Sequence, residues 1–263
     1  MINIRLFALA AVALLLGCGS TFATVAEETI ENTYSVPAKA RITVKNADGR
    51  IQVYGWEENE MKVVAYKRAF TKERLDAIEI NVEVTAETVL VDTVYPPAPQ
   101  GSITADRSGT VDYILLVPQY AALEKLDLAN GEMLVEGMRG ATINAQVGNG
   151  KLLLRNSFSP TQISLTKGIM EIFFSWWEDY GLPIRAEVVD GDLRVALPSA
   201  SGVTVDATTA TGRITNAFAP PREEGEEESA GDERSLSTVI GYESGTVLEL
   251  RSTSANIRLG KSY

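Results

Sequence analysis

The second half of the sequence repeats a short pattern about every 19 residues, from Ala122 to the end of the chain. Each copy holds a polar turn, which usually ends in Gly, followed by apolar residues spaced two apart. The turns begin at Asn130, Asn149, Lys167, Asp190, Thr211 and Ser254. A fixed period near 20 residues with two-residue alternation inside it is typical of stacked β-coils, because no single coil can bury its apolar face alone. The repeat therefore predicts an all-β fold, a β-helix-like β-solenoid over residues 122–263.

Residues 37–121 form a region that is also rich in predicted strands. The segment Thr71 to Ala77 has a candidate N-cap followed by helix-forming residues, which predicts one short helical turn or a loop. Alternating apolar runs predict strands at 40–44, 51–56, 61–67, 78–84, 89–94 and 111–117. No strong boundary separates this region from the repeats, so we expect it to continue the same stack.

The first 17 residues have the features of an export signal. A single positive charge at Arg5 precedes an apolar run over 6–16, which is too short to span a bilayer. The run ends in Leu-Leu-Gly-Cys, which looks like the lipobox of bacterial lipoproteins, with Cys18 as the lipidated residue. Cys18 is the only cysteine, so it has no disulfide partner in this chain. We therefore expect a signal peptide at 1–17, lipidation at Cys18 and a polar tether at 18–36. The alternative is ordinary secretion with cleavage near Ala23 or Ala26.

An acidic segment interrupts the repeats at 220–244. Its run from Arg222 to Ser229 holds five glutamates and no large apolar side chain, so it has little to bury. We expect a solvated loop inserted between the fifth and sixth coils. A cation-binding role is the alternative, but the run lacks the alternating ligands and fixed turn of a calcium loop.

Composition argues against several functional classes. The formal net charge of -11 disfavours nucleic acid as a partner, and an acidic protein of this kind usually stays soluble and monomeric. The chain has no histidine and one cysteine, which removes the commonest general base and the commonest zinc ligands. We therefore expect no catalytic residue, no metal and no cofactor, and a protein that is not an enzyme. The alternative is a carbohydrate-active enzyme on a β-solenoid scaffold, which would need two carboxylates converging from different coils.

One local feature indicates a binding surface. The longest repeat concentrates Phe173, Trp176, Trp177 and Tyr180, and alternation directs Phe173 and Trp177 outward when their neighbours face the core. An exposed aromatic cluster often marks a binding patch, here for a protein or a polysaccharide. The alternative is that these rings cap a coil corner or pack under the inserted loop.

Three phrases of the sequence carry a resemblance to a known family. They are Ala-Asp-Gly-Arg-Ile-Gln-Val-Tyr-Gly-Trp at 47–56, Val-Asp-Gly-Asp-Leu-Arg-Val-Ala-Leu-Pro at 189–198 and Thr-Gly-Arg-Ile at 211–214. From about residue 40 to 259 the chain resembles the bacterial putative-adhesin domain family of unknown function. The resemblance implies a right-handed β-solenoid in an exported, often lipid-anchored protein, and it carries over no catalytic residues. We therefore expect a cell-envelope lipoprotein, facing the outer membrane or the periplasm, whose solenoid is a structural or binding module.

Overall fold

The computed structural model describes residues 25–97, 106–219 and 234–262, and within these ranges the fold is all-β, as the sequence predicts. Its strands form one mixed sheet, accompanied by a single short helix. The strands are β1 (Ala26–Ser35), β2 (Arg41–Trp56), β3 (Glu60–Ala69), β4 (Glu79–Val84), β5 (Thr88–Val94), β6 (Thr110–Pro118), β7 (Ala122–Glu136), β8 (Ile143–Arg155), β9 (Thr161–Phe173), β10 (Pro183–Leu197), β11 (Gly202–Thr209), β12 (Ile214–Asn216), β13 (Ser235–Gly241), β14 (Val247–Ser252) and β15 (Asn256–Lys261).

The helix α1 (Lys72–Asp76) begins where the sequence places an N-cap. The Thr71 hydroxyl accepts a hydrogen bond from the backbone N–H of Arg74 at 3.2 Å, which satisfies one of the free donors of the first turn. Within the described ranges, no helix is long and apolar enough to cross a membrane.

The repeats stack as parallel strands with their turns in register. Asn130 of β7 pairs with Asn149 of β8, which pairs with Lys167 of β9, which in turn pairs with Asp190 of β10. Strand β2 of the N-terminal region joins the same stack, parallel to β7. The turns that define the period in the sequence therefore lie side by side in space.

Each long strand turns at a glycine, and both halves face one core. In β8 the buried residues are Ile143, Ala145 and Val147 before the turn, and Leu152 and Leu154 after it. The buried positions change from odd to even numbers across Gly150, whose φ is 137°. A positive φ of this kind is open to glycine at low cost. The polar turns are thus the corners that bring both apolar runs of a copy to the same interior.

The order of the last three coils in space differs from their order in the sequence. Strands β14 and β15, from the sixth copy, pair directly with the two halves of β10. The fifth copy, β11 and β12, lies outside them, against β14 and β15. The sixth copy is therefore inserted between the fourth and the fifth.

The predicted tether at 18–36 is wrong for its second half. Strand β1 pairs antiparallel with β3, from Ala26 opposite Ala69 to Ser35 opposite Glu60. The Nζ atom of Lys67 lies 2.6 Å from a carboxylate oxygen of Glu28, and Lys67 is only 6% exposed. Because a buried ammonium needs a partner, β1 is a structural part of the sheet. Most of its side chains are exposed, so it carries no apolar alternation that the sequence could reveal.

The predicted loop at 220–244 is also wrong in its second half. Strand β13 pairs antiparallel with β11 at the edge of the sheet, and Ile240 is 1% exposed. Residues 220–233, which hold the glutamate run, lie outside the described residues. The neighbouring glutamates dominate the composition of the segment and hide the short alternating run that forms β13.

Candidate functional site

One edge of the stack is built from the turns that connect successive coils. The backbone N–H of Arg139 donates to the carbonyl of Gln119 at 2.7 Å, and the N–H of Phe158 donates to the carbonyl of Met138 at 2.8 Å. The N–H of Ser175 donates to the side-chain oxygen of Asn156 at 2.8 Å. Each turn is thus hydrogen-bonded to the preceding turn, and the loop between β9 and β10 is held in the same way by the turn that contains Asn156.

This loop gathers aromatic rings around Phe158, and we call the cluster the aromatic edge. The ring centroid of Phe158 lies 5.2 Å from that of Phe174, 6.0 Å from Trp176, 6.3 Å from Trp177 and 6.3 Å from Tyr180. Trp176 and Tyr180 are 46% and 59% exposed, whereas Phe158 and Phe174 are buried. The cluster therefore has a buried base and an exposed upper surface.

An ion pair fixes the loop that carries the exposed rings. The guanidinium of Arg139 donates two hydrogen bonds to the carboxylate of Glu178, one of them at 2.7 Å and the other shorter. The indole N–H of Trp176 donates to the same carboxylate at 2.7 Å. The Arg139 guanidinium also lies 5.4 Å from the ring centroid of Phe158. Trp176 is therefore held in one orientation although its ring is exposed.

The pKa of Glu178 is lowered to about 2, chiefly by its hydrogen bond from Arg139. Burial opposes this shift, while hydrogen bonds from Trp176 and Tyr180 add to it. Glu178 is consequently ionised at neutral pH and acts as an acceptor that orders the edge. The pKa of Tyr180 is raised, first by its hydrogen bond to Glu178 and in smaller part by nearby Tyr120, which is itself 50% exposed.

Three of the four aromatic residues predicted as a patch come together here. Trp176 and Tyr180 are exposed on the edge, but Trp177 is partly buried against the core rather than directed outward. Its ring packs edge-on against Phe174, with centroids 5.3 Å apart, and its buried Nε1 has no hydrogen-bond partner among the described residues. The loop has left the strand conformation at this point, so alternation no longer predicts which way a side chain faces.

Phe173 does not belong to the aromatic edge. It is the last residue of β9, half-buried on the outer face of the sheet, and the guanidinium of Arg155 lies 5.6 Å from its ring centroid. There it lines a groove of about 530 Å³. Phe158, in contrast, is central to the edge and was missed by sequence reasoning. The signal was its position 19 residues before Trp177, which is one period of the repeat.

The carboxylates that lie close together on the neighbouring strands β9 and β10 form ion pairs with an arginine. Arg194 lies 3.4 Å from Glu171 of β9 and 3.0 Å from Asp192 of its own strand. Burial acts to raise the pKa of Asp192, but the hydrogen bond from Arg194 and the charges of Arg258 and Arg194 outweigh it and lower the pKa. A glycosidase needs a carboxyl group that donates a proton, and a carboxyl group with a lowered pKa is a poor proton donor. Among the described residues, no group of three or more acidic, His or Cys side chains could hold a metal ion.

No protein-family model and no curated protein matches this sequence. Similar solved structures include a putative cell adhesion protein from Clostridium sporogenes, with 15% identity and a TM-score of 0.49 over 90% of this chain and 100% of that one. A putative adhesin from Bacteroides fragilis gives 10% identity and a TM-score of 0.31 over 89% of this chain and 97% of that one. A putative lipid binding protein from Parabacteroides distasonis gives 10% identity and a TM-score of 0.29 over 90% of this chain and 97% of that one.

Proposed function

We propose that this protein is an exported bacterial envelope lipoprotein whose right-handed β-solenoid is a binding module, with the aromatic edge as its ligand surface. The observation that carries the proposal is the exposure of Trp176 and Tyr180 on a loop fixed by the Arg139–Glu178 ion pair. Parallel coils stacked in register support the solenoid description, because each copy buries its apolar residues against its neighbours.

Exposed rings that are already ordered suit recognition. An aromatic side chain that is fixed before binding loses little conformational freedom when a partner covers it. Trp176 is fixed by its hydrogen bond to Glu178, and Tyr180 by its contact with Phe158. We therefore infer a site that is preorganised rather than formed on binding.

The chemistry of the edge favours a flat, largely neutral ligand. Arg139 and Glu178 neutralise each other, so the ion pair that fixes the two exposed rings adds no net charge to the edge. The apolar face of a neutral sugar ring matches such a surface, and the hydroxyl groups at the edge of the sugar can form hydrogen bonds with the hydroxyl groups of Tyr120 and Tyr180. We propose a neutral polysaccharide as the ligand, and a protein partner is the alternative.

The anchor is the second part of the proposal. Cys18 lies outside the described residues, and β1 begins at Ala26. Eight Cα–Cα steps separate Cys18 from Ala26, and a fully extended chain covers at most about 29 Å in that number of steps. Lipidation at Cys18 would therefore hold the β1 end of the stack close to the membrane. We also propose that the protein acts without catalysis, cofactor or metal, as a monomer.

Affinity electrophoresis tests the ligand surface. Purified residues 19–263 are run in gels that contain hydroxyethyl cellulose, glycol chitin or xylan, and retarded mobility reports binding. The double variant Trp176→Ala/Tyr180→Ala should lose the retardation, whereas Tyr66→Ala, which removes an exposed ring from β3, should retain it. Equal retardation of all three proteins, or none in any gel, would rule out a polysaccharide at this edge.

A further inference from the structure

A second surface feature lies on the outer face of the sheet, apart from the aromatic edge. Phe173 and Phe174 are neighbours, but Phe174 is buried in the core and Phe173 faces the groove of about 530 Å³. Sites for small molecules commonly have volumes of about 300–1,000 Å³. The groove is therefore large enough for one small ligand.

The groove exists because small residues follow Phe173 across the strands. Phe173 of β9 pairs with Ala196 of β10, which pairs with Gly260 of β15. In the two preceding coils the same row holds Arg155 and Glu136. Ala196 and Gly260 thus form the shallow floor of the groove, and the ring of Phe173 forms one of its side walls. From Phe173 to Gly260 the groove crosses two strand spacings, which makes it about 10 Å long.

Positive charge lines one side of the floor. Arg194 and Arg258 are paired across β10 and β15, and they share the carboxylate of Asp192, at 3.0 Å and 3.8 Å. Glu171 is also shared, because it lies 2.6 Å from Lys151 and 3.4 Å from Arg194. In this group Lys151, Arg194 and Arg258 thus meet two carboxylates.

Arg258 retains hydrogen-bonding capacity, whereas Arg194 does not. The terminal nitrogens of Arg194 lie 3.4 Å from Glu171 and 3.0 Å from Asp192, and its Nε atom is buried. Arg258 makes its only described ion pair at 3.8 Å, beyond the distance of a hydrogen bond. A guanidinium presents its donors in a fork that matches a carboxylate, so Arg258 is suited to hold one.

From these observations we propose that the groove binds a small amphipathic carboxylate. Its flat or slender apolar body lies on Ala196 and Gly260 against the ring of Phe173, and its carboxylate accepts hydrogen bonds from Arg258. The length of the groove limits the apolar part of the ligand to about 10 Å, which fits a fused pair of aromatic rings or a short acyl chain. The site does not depend on the aromatic edge, so either proposal can fail without the other.

Isothermal titration calorimetry on the purified residues 19–263 tests this site with three compounds. Naphthalene-2-carboxylate carries the proposed charge on a planar body, decanoate carries it on a chain, and naphthalene-2-carboxamide has the planar shape without the charge. We expect at least one carboxylate to bind, and the carboxamide to bind at least tenfold more weakly than naphthalene-2-carboxylate. The carboxylate that binds more tightly shows whether the apolar part of the preferred ligand is planar or chain-like. Absence of binding by both carboxylates, or equal binding of the carboxamide, overturns the proposal.

Two variants locate the binding. Gly260→Leu fills the floor with little strain, because an added Cβ would meet nothing closer than the oxygen of Val195 at 3.7 Å. Arg258→Met removes the charge and keeps an apolar stem. Each should weaken binding at least tenfold, whereas Arg251→Met, an exposed arginine of β14 outside the groove, should leave it unchanged.

Controls on folding and assembly keep the result decisive. If Gly260→Leu lowers the melting temperature strongly, Ala196→Leu fills the same floor from the neighbouring strand and replaces it. Unchanged affinity in both the filled and the Arg258→Met variants places the binding elsewhere and overturns the proposal. So does a dimer in size-exclusion chromatography that Gly260→Leu dissociates, because the groove would then be a contact between two copies.

Discussion

A Cβ atom added to Gly191 would lie 1.8 Å from the backbone oxygen of Gly168 in the neighbouring coil. The same overlap recurs down the stack, at Gly168 against Gly150, and at Gly150 against Gly131. These positions also have φ values of 133° to 137°. Glycine is therefore required twice at each corner, once for the backbone conformation and once for the close approach of the next coil.

We predict that Gly191→Val destabilises the protein by about 3 kcal/mol or more, because a strained backbone site and an overlap each cost about 1–3 kcal/mol. Gly260→Ala is the matched control, since its φ is not positive and its surroundings leave room for a Cβ. It should change the free energy of unfolding by less than about 0.5 kcal/mol. Denaturant titration measures both. Equal stability of the two variants would mean that the corner glycines are not required.

The corners were predictable from the sequence because their physical requirement is local. A tight turn that needs positive φ selects glycine, and the alternation on each side selects the buried residues. The order of the coils was not predictable. Each copy presents similar strand edges and a similar apolar face, so β10 can accept β11 or β14 as its neighbour with similar pairing. The order is set by pairing between residues far apart in the sequence, such as Leu193 with Ile257, which is a long-range property.

The candidate site was predictable only in part, for a related reason. Aromatic content identified the loop that holds Trp176 and Tyr180, but the ring at its centre is Phe158, contributed by the preceding turn. The partner of Glu178 is Arg139, from the turn before that. Such contacts join residues 18 to 39 positions apart, and only the stacking of turns brings them together.

The adjacent tryptophans should differ in their contribution to stability. Trp177 packs against the core, so Trp177→Ala should cost about 3 kcal/mol, near the lower limit for a large buried aromatic ring. Trp176 is 46% exposed, and Trp176→Ala should cost less than about 1 kcal/mol. Guanidinium titrations of both variants provide the measurement. A larger loss for Trp176 than for Trp177 would contradict the assignment of the exposed ring.

Strand β13 offers a test on neighbouring residues. Ile240 is 1% exposed and Val239 is 44% exposed, on opposite faces of the strand. Ile240→Asp buries a carboxylate without a partner and should unfold or aggregate the protein, whereas Val239→Asp should be tolerated. Thermal melting and size-exclusion chromatography distinguish these outcomes. Tolerance of Ile240→Asp would show that β13 is dispensable.

The proposed anchor at Cys18 predicts where the protein is found. In cells that express Cys18→Ser, the protein should leave the membrane fraction, because the thiol that would carry the lipid is lost. A variant with an intact Cys18 and the Trp176→Ala change should stay with the membranes. Cell fractionation followed by immunoblotting measures the distribution. An unchanged distribution of Cys18→Ser would exclude lipidation at this residue as the anchor.

The Glu178 carboxylate should make the stability of the aromatic edge depend on pH. Its folded-state pKa is lowered from 4.5 to about 2, chiefly by the hydrogen bond from Arg139, so its contribution is complete above pH 4.5 and is lost as pH falls toward 2. Wild type should therefore melt a few degrees above Glu178→Gln at pH 7, and the difference should shrink between pH 4.5 and pH 2. Glu57→Gln, at an exposed turn, controls for the loss of one negative charge. Because other carboxylates titrate equally in wild type and variant, their effects cancel in the difference. A difference that stays constant down to pH 2.5 would show that the Arg139–Glu178 pair does not couple protonation to folding.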